Sequence, residues 1–437
     1  MSRRRRLLIE EQVRENNQKI LTNLTNKSVI RERYNIGIII PTTSNKKNYK
    51  KLEDYIFFQI TLPSFIKTCS NDNNYNFYLG YDDDDLFFTK NKDKLVDYFN
   101  EKTPSNFTVK FYKMKNLKGK VGKIWSNLAD VAKETNEYLY QMGDDIEMMT
   151  NNWDRYFIYR LLQSDNVGCV GPYDLNIKSF LLTQSFVHIK HLEIFGTYFP
   201  DKIINWDIDL WITQIYGSNP VFGIEIKNQS GFSERYEPVN DKNNYRKIKN
   251  KDLVLLNNYL KRNKPLNIHY LNDDTKKYND KDIILTIGIP TLAKRKFFLI
   301  RLLNKISWCC GDYRKKIEII INEDNGEKTI GTKRNEIIRK TSGEYFCFID
   351  DDDIISDNYF ELIFDAFKEN PEGVGFKGMF YKKEFSKMVF EHNFDNKTHF
   401  KNHKIQKRPL NHLNPIKTEL VRKIPYKEIN HGEDLDF

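Results

Sequence analysis

The sequence lacks long apolar segments. No uninterrupted run of about 18 apolar residues occurs in its 437 residues, which excludes a membrane-spanning helix of ordinary length. The basic start, Arg3–Arg6, is not followed by an apolar segment of the length that a secretory signal requires. We therefore predict no transmembrane segment and no signal peptide. The four arginines are interpreted as a solvated tail, with a nuclear address or contact with anionic lipid as alternatives.

Cysteine and histidine are also few. The five cysteines and eight histidines show no spacing typical of a metal site. An odd, scattered set of cysteines in apolar surroundings predicts free buried thiols and a reducing compartment. The cysteines are Cys69, Cys169, Cys309, Cys310 and Cys347. We therefore expect a cytoplasmic protein.

The charge balance is basic without a concentrated basic patch. The formal net charge is +10, which raises a nucleic acid as a possible partner. The Lys and Arg residues are, however, dispersed among Asp and Asn, and no RNA-binding aromatic motif occurs. Aromatic residues make up 14% of the chain, enough for well-packed cores. We predict a folded protein without a nucleic-acid partner and keep a metal-dependent nucleic-acid enzyme as an alternative.

Four consecutive carboxylates follow an apolar run near the end of the chain. The segment 341–357, TSGEYFCFIDDDDIISD, contains Asp350, Asp351, Asp352 and Asp353. Like charges a few ångströms apart repel by about 1 kcal/mol even in water, so such a cluster favours a divalent cation. Oxygen ligands suit Mg²⁺ or Mn²⁺, and these ions suit a substrate with phosphates. The alternative interpretation is a solvated acidic turn.

The neighbouring segments favour the cation. Apolar runs predict strands that alternate with amphipathic helices, and this alternation is typical of a doubly wound, mostly parallel sheet. The predicted strands are 283–290, 316–322 and 343–349, and the predicted helices are 294–306 and 331–339. Ligands of such sheets bind beyond the carboxyl ends of the strands. We therefore expect Pro290, Asp324 and Asp350–Asp353 to converge on one crevice.

These residues form a pattern that resembles the nucleotide-sugar glycosyltransferases of the GT-A fold, in particular the inverting family two. Five motifs occur in the family's order within residues 283–437. They are IPT at Ile289–Thr291, the acidic Asp324, KRN at Lys333–Asn335, GEYFCFIDDDD at Gly343–Asp353, and the pair Glu433 and Asp434.

The resemblance implies a hexosyltransferase that moves a sugar from a nucleotide-sugar donor to an acceptor hydroxyl. A UDP-sugar is the favoured donor, a glycan or a protein is the acceptor, and Mn²⁺ or Mg²⁺ is the cofactor. The implied donor-binding residues are Pro290, Asp324, Lys333, Arg334, Asp350 and Asp351, with Asp324 at the uracil or ribose. Asp352 and Asp353 are implied as metal ligands, Asp434 as the general base, and Glu433 as an acceptor contact.

An earlier part of the chain repeats the plan. Predicted strands at 34–41 and 76–81 and a predicted helix at 122–133 precede Glu137–Glu147, which parallels Glu344–Ile354. We predict an α/β protein of two tandem GT-A-like, Rossmann-like domains, each a mostly parallel sheet flanked by helices. The candidate site residues of the first domain are Asp82, Asp144, Asp145, Asp207 and Asp209.

The first domain departs from the pattern in its acidic motif. If Asp145 aligns with Asp353, Met142 stands at the position of Asp350 and the first carboxylate is missing. The first domain is therefore catalytic, acceptor-binding or inactive, and a non-catalytic glycan-binding or scaffolding protein remains an alternative for the whole chain.

Four parts are predicted along the chain. They are a basic arm and helix at 1–33, a first domain at 34–250, a linker at 251–282 and a second domain at 283–437. The second domain is expected to be shortened at its carboxyl end.

Overall fold

The computed structural model describes most of the chain, and it divides the chain into two compact units. The described residues are 14–15, 17–24, 33–47, 49–229, 242–271, 282–381, 387–396, 400–401 and 405–430. The first unit lies within Glu10–Leu256 and the second within Asn257–Phe437. Within the described ranges, none of the helices combines the length and the apolar character needed to cross a membrane.

Eight strands and six helices, with a longer helix at the boundary, are described in the first unit. The strands are β1 (Asn35–Thr42), β2 (Asn74–Asp82), β3 (Phe107–Met114), β4 (Tyr138–Gln141), β5 (Ile146–Met148), β6 (Pro172–Asp174), β7 (Ser185–His188) and β8 (Val221–Asn228). The helices are α1 (Leu62–Thr68), α2 (Leu86–Lys102), α3 (Val121–Ala132), α4 (Trp153–Leu162), α5 (Lys190–Phe195) and α6 (Ile208–Tyr216), and α7 (Lys242–Asn263) spans the boundary between the units.

The main sheet of the first unit has the order β3-β2-β1-β4-β7, and the order reverses beside β1. Strands β1 to β4 pair in parallel, and β7 pairs antiparallel with β4. The β-branched run of β1 is buried because helices cover the sheet. A reversal of this kind opens a crevice beyond the carboxyl ends of β1 and β4. A second sheet has the order β5-β8-β6.

The second unit builds a similar sheet. Its strands are β9 (Asn267–Tyr270), β10 (Leu285–Leu292), β11 (Ile317–Asp324), β12 (Tyr345–Phe348), β13 (Lys377–Tyr381), β14 (Lys387–His392), β15 (Phe400–Lys401), β16 (Ile405–Arg408) and β17 (Ile416–Lys417). Its helices are α8 (Lys296–Cys309), α9 (Ile330–Lys340), α10 (Tyr359–Phe367) and α11 (Thr418–Val421). The main sheet has the order β17-β12-β10-β11-β9, and a further sheet has the order β13-β14-β16-β15.

These sheets confirm the predicted fold class, an α/β chain with mostly parallel sheets flanked by helices. Strand β10 corresponds to β1, β11 to β2 and β12 to β4, because each pairs in parallel in the same order. The outer strand differs in its origin: β3 follows β2 along the chain, whereas β9 precedes β10 and still pairs in parallel with β11.

Two segments differ from the predicted division of the chain. The predicted linker 251–282 contains the end of α7 and strand β9, which is part of the second sheet. The helical residues 17–24, predicted as part of a separate arm, pack on the first unit instead, where Leu21 and Leu24 join its core. Both segments are ordered by tertiary packing, because their own apolar patterns are short.

Candidate active site

The carboxyl ends of β10, β11 and β12 bring the predicted site residues of the second unit together. The register pairs Pro290 with Asn322 and Leu292 with Asp324. Pro290 is buried within the sheet, so it shapes the end of β10 and offers no polar group to a ligand. The acidic run begins two residues after β12, at the same edge.

Asp324 forms an ion pair with Lys333 of α9 at this edge. The Asp324 carboxylate also accepts a hydrogen bond of 2.8 Å from the backbone N–H of Lys328, and Lys333 donates one of 2.7 Å to the carbonyl of Thr291. Burial disfavours the charged carboxylate, but the bonds from Lys333 and Lys328 outweigh it and hold the pKa of Asp324 below its usual range. The pair fixes α9 against β10 and β11.

Asp351 faces the interior, unlike its neighbours in the run. It is 2% exposed and accepts a hydrogen bond of 2.5 Å from the Thr291 hydroxyl. Arg295 binds the same carboxylate in a bidentate manner, with Nε 2.8 Å from Oδ1. Arg295 also lies 2.9 Å from Oδ2 of Asp352. This geometry assigns Asp351 to positioning Arg295 rather than to direct contact with a donor.

Arg334 lies beneath the first aspartate of the run. The Arg334 side chain is 1% exposed, and its guanidinium stands over the rings of Phe348 and Tyr426 at 5.1 and 5.4 Å. One of its nitrogens is 3.5 Å from Oδ1 of Asp350. The aromatic rings hold the cation in a desolvated place, where its attraction for an anion exceeds that of a surface arginine.

The oxygens of three aspartates in the run are suited to a cation. Oδ1 of Asp350 is buried and accepts no hydrogen bond. Partial desolvation in the crowded loop, and then the charges of Asp350 and Asp352, raise the pKa of Asp353 to about 7. Among the residues that the structure describes, no three His, Cys, Asp or Glu side chains are placed together as ligands of one metal ion. Asp350, Asp352 and Asp353 nevertheless fit a hard cation by the chemistry of their oxygens and by their unrelieved repulsion.

Arg295 is the functional candidate that sequence reasoning missed. It lies in a short 3-10 turn directly after β10, and its partners are 56 and 57 positions further along the chain. The order of the residues gives no signal for such a pairing. The available signal is chemical, since four adjacent carboxylates require nearby cations.

The first unit repeats the hydrogen bond of Asp351 at the corresponding position. Thr42 donates a hydrogen bond of 2.6 Å to Asp144, as Thr291 does to Asp351. The strand registers agree, because Ile36 pairs with Tyr138 as Leu285 pairs with Tyr345. The alignment of Asp145 with Asp353 is therefore wrong by one residue.

In the corrected alignment Asp144 corresponds to Asp351 and Asp145 to Asp352. The position of Asp350 is then occupied by Gly143 rather than by Met142. The expectation that the first carboxylate is missing from the first unit is unchanged.

The acidic candidates at the strand ends of the first unit are buried. Asp82, Asp144 and Asp145 are 2%, 1% and 5% exposed. Asp82 accepts a hydrogen bond of 3.1 Å from Thr43, and Asp144 is held by Thr42. The next aspartate of that run, Asp85, caps α2 through the backbone N–H groups of two phenylalanines. Carboxylates fixed in this way stabilise the fold and offer no exposed cluster to a cation.

The basic residues of the second unit have uncharged counterparts in the first. Gly122 and Gly331 are each the second residue of their helix, which aligns α3 with α9. Trp125 then corresponds to Arg334, and Ile124 to Lys333. Since Gly143 corresponds to Asp350, the first unit has lost both members of the Arg334–Asp350 pair.

Both units dock a related segment on the same helix end. The N–H of Gly122 donates to the carbonyl of Ile204 at 3.1 Å, and the N–H of Gly331 donates to that of Ile429 at 3.2 Å. Extending this correspondence aligns 200–210, PDKIINWDIDL, with 425–435, PYKEINHGEDL. Asp209 thereby corresponds to Asp434.

Glu433 and Asp434 themselves lie outside the described residues, whereas their counterparts in the first unit are described. Asp207 precedes α6 with φ of 66°, in the left-handed region. Burial raises the pKa of Asp207, and Lys242 opposes that rise. Burial also raises the pKa of Asp209, in the first turn of α6, to about 7. Both residues are partly exposed, unlike the acidic candidates at the strand ends.

Comparisons with known proteins identify the second unit. Residues 309–428, just over a quarter of the chain, match the family described as glycosyl transferase family 2. No curated protein matches the sequence.

The fold is similar to those of two solved glycosyltransferase structures at low identity. The structure of S. aureus TarS residues 1–349 in complex with UDP is 12% identical, with 64% of this chain and 74% of that chain covered and a TM-score of 0.33. The structure of GalNAc-T7 with UDP, GalNAc and Mn²⁺ is 12% identical, with 45% and 44% covered and a TM-score of 0.34. Similarities of this size establish neither a ligand nor an acceptor for this chain.

Proposed function

The chain contains a glycosyl transferase family 2 domain and is a glycosyltransferase, and from this premise we propose that its second unit transfers a sugar from a UDP-sugar to the hydroxyl of a glycan or protein acceptor. One observation supports this most directly. Asp324 of β11, Arg334 of α9 and Asp350 after β12 come from three separate segments and lie around one strand-end crevice. Donors bind at this edge in sheets of this topology.

The donor's diphosphate is proposed to lie between Arg334 and the acidic run. Arg334 is desolvated against two aromatic rings, so its charge is weakly screened. Negative charge grows on the leaving diphosphate during transfer, and fixed positive charge favours that state over the ground state. Lys333 acts less directly, because it holds Asp324 in position for the nucleoside.

A divalent cation, Mn²⁺ or Mg²⁺, is proposed to complete the site. Asp350, Asp352 and Asp353 would hold it, and the cation would supply charge neutralisation for the diphosphate. Asp351 is excluded from this set because Thr291 and Arg295 occupy both of its oxygens. Its role is to keep Arg295 beside Asp352.

Asp434 is proposed as the general base and Glu433 as an acceptor contact, with inversion at the transferred carbon. A carboxylate at this position takes the proton of the attacking hydroxyl. The docked position of Ile429 on Gly331 supports the proposal, because it holds the preceding residues against α9. The corresponding Asp209 supports it too, since its pKa of about 7 suits proton transfer.

We propose the cytoplasm as the location. The five cysteines are free, and four of them are buried. Free thiols in this number are typical of a reducing compartment. Labelling intact cells with a thiol reagent that cannot cross membranes should leave all five unmodified, and modification of the partly exposed Cys309 would contradict this location.

The decisive experiment titrates the purified chain with UDP, GDP and their sugars, with Mn²⁺ and with EDTA. We expect metal-dependent binding of UDP and release of UDP from a UDP-sugar. Binding without turnover under all acceptors would favour a scaffolding protein. Salt-sensitive binding of DNA or RNA without nucleotide-sugar binding would favour the nucleic-acid enzyme.

A further inference from the structure

The crevice of the first unit has lost its means of binding a diphosphate. Trp125 stands in place of Arg334, Ile124 in place of Lys333, and Gly143 in place of Asp350. Asp144 and Asp145 are buried and cannot present a charged cluster. A highly charged ligand would find neither a cation nor a metal site there.

The acceptor-side segment of the first unit has been kept and enriched in groups that bind sugars. The segment retains Pro200, Lys202, Asn205 and Asp209 at the positions of Pro425, Lys427, Asn430 and Asp434. Asn205 donates a hydrogen bond of 3.1 Å to the carbonyl of Gly119, so the segment is fixed beside the start of α3. A decayed site without a ligand has no need of this arrangement.

Trp206 is the most distinctive residue of the segment. Its side chain is 50% exposed, although an indole ring is among the most costly groups to leave in water. The corresponding residue of the second unit is His431. An exposed flat ring that is fixed on both sides in the chain is suited to the apolar face of a pyranose, since C–H groups pack on aromatic rings.

Asp207 adds polar groups next to this ring. Its backbone has φ of 66°, a conformation that favours glycine, and the second unit has Gly432 at the corresponding position. Retention of a carboxylate against this backbone cost indicates a use for the side chain. Lys242 and Tyr245 of α7 lie near enough to interact electrostatically with Asp207. Carboxylate, ammonium and phenol groups together can both donate and accept hydrogen bonds, as sugar hydroxyls require.

We propose that the first unit is a non-catalytic binding site for an uncharged saccharide, with Trp206 against the sugar ring and Asp207 at its hydroxyls, and that it does not bind a nucleotide diphosphate. The chain would then separate its tasks, with donor chemistry in the second unit and recognition of part of the acceptor in the first. The saccharide site itself is independent of whether the second unit turns over.

Saturation-transfer NMR on the full chain tests this site. The probes are the methyl glycosides of glucose, galactose and N-acetylglucosamine, their β-linked disaccharides, and UDP with Mn²⁺. We expect at least one saccharide to bind, Trp206→Ala to weaken that binding about tenfold or more, and Trp206→Phe to retain most of it. UDP binding should be unchanged in both variants.

A matched variant in the second unit separates the two sites. Asp350→Asn should abolish metal-dependent UDP binding and leave saccharide binding within about twofold of the native value. The inference is overturned if no saccharide of the panel binds, if Trp206→Ala binds the saccharide normally, or if Trp206→Ala loses UDP. Failure of UDP to bind the native chain would count against the proposed function and leave the saccharide result to be judged separately.

Discussion

Arg295 neutralises the aspartate of the acidic run that faces the interior. It makes two bonds to Asp351 and one contact with Asp352, and its own side chain is 34% exposed. Removing one member of a buried ion pair leaves the other charge desolvated, which costs more than the pair contributes in its intact form. Arg295 is therefore important for the stability of the loop as well as for its shape.

Arg295→Met should lower the free energy of unfolding by about 3 kcal/mol, because it leaves Asp351 charged and buried. The matched double variant Arg295→Met with Asp351→Asn should recover more than half of that loss, since the charge is then removed with its partner. Chemical denaturation measures both. Additive effects of the two substitutions would contradict the coupling.

Asp352→Asn should reduce metal-dependent turnover of a UDP-sugar at least about 100-fold, because the amide cannot neutralise a cation. Its free energy of unfolding should change by less than about 0.5 kcal/mol, since the side chain is on the surface of the loop. The matched control is Asp145→Asn in the first unit. Asp145 is 5% exposed, so that variant should lose stability and retain turnover.

Two results would contradict this pair of predictions. Normal turnover in a folded Asp352→Asn protein would remove the residue from the mechanism. Equal losses of turnover in Asp352→Asn and Asp145→Asn would mean that the first unit is catalytic as well.

Asp209 makes the stability of the first unit dependent on pH. Burial raises its pKa from 3.8 to about 7, so the folded state holds a proton that the unfolded state has released. The contribution of Asp209 is therefore unaffected below about pH 4, and stability falls as pH rises from about 4 through 7. Above pH 7 the full cost of a buried charge is present.

Asp209→Asn should remove this dependence. The variant should gain about 1 to 3 kcal/mol relative to the native chain between pH 5 and pH 8, because the amide has no charge to bury. Thermal unfolding of both proteins across this range provides the difference. Parallel stability curves would show that Asp209 ionises freely.

At the scale of elements, the buried parallel strands were predictable and the antiparallel ones were not. Strands β1, β10 and β11 are continuous β-branched runs, and this composition is typical of strands covered on both faces. Strand β9 has four residues, NIHY, in polar surroundings, so tertiary pairing with β11 decides its structure. The sheet β13-β14-β16-β15 likewise has no apolar run comparable to β10.

The acidic site shows the same limit. The sequence places Asp350–Asp353 at a strand end, but a run of identical residues has no periodicity to show that Asp351 turns inward. The one-residue error in aligning Asp145 has the same origin. Only the hydrogen bonds of Thr42 and Thr291 distinguish the two alignments.

The contact between α9 and the 425–430 segment leaves no room for a side chain at Gly331. A Cβ atom there would lie 1.8 Å from the carbonyl oxygen of Lys427, which requires the segment to move. Gly331→Ala should therefore lower turnover about tenfold or more by displacing Asp434, while UDP binding changes little.

Gly122→Ala is the matched control for this element. A Cβ atom at Gly122 would lie 2.9 Å from the carbonyl oxygen of Ile203, so it disturbs the equivalent contact in the first unit. We expect it to lower the thermal midpoint without lowering the rate of UDP release. Normal kinetics in Gly331→Ala would show that docking of this segment does not position the base.

At the scale of the whole molecule, the chain contains two similar sheets whose strand-end residues differ in charge. The second unit has Arg334 with Asp350, and the first has Trp125 with Gly143. Loss of an anion-binding cation together with its paired carboxylate removes the cost of an unpaired buried charge. The two changes are therefore expected to have occurred together, and they leave a folded unit without donor chemistry.

The acceptor-side aspartates decide whether this division is correct, because Asp209 and Asp434 occupy corresponding positions in the two units. Asp434→Asn retains the shape of the side chain but cannot take a proton, so it should lower turnover by about 10² to 10⁴ fold with donor binding intact. Asp209→Asn, the matched variant, should leave turnover within about twofold of the native rate. Glu433→Gln should mainly weaken acceptor saturation, a change in uniform binding rather than in the proton-transfer step. Steady-state kinetics with varied acceptor measures all three; normal turnover in a folded Asp434→Asn protein would leave that carboxylate a structural role of about 0.3 to 1 kcal/mol at a helix start, and a large loss in Asp209→Asn would place the base in the first unit.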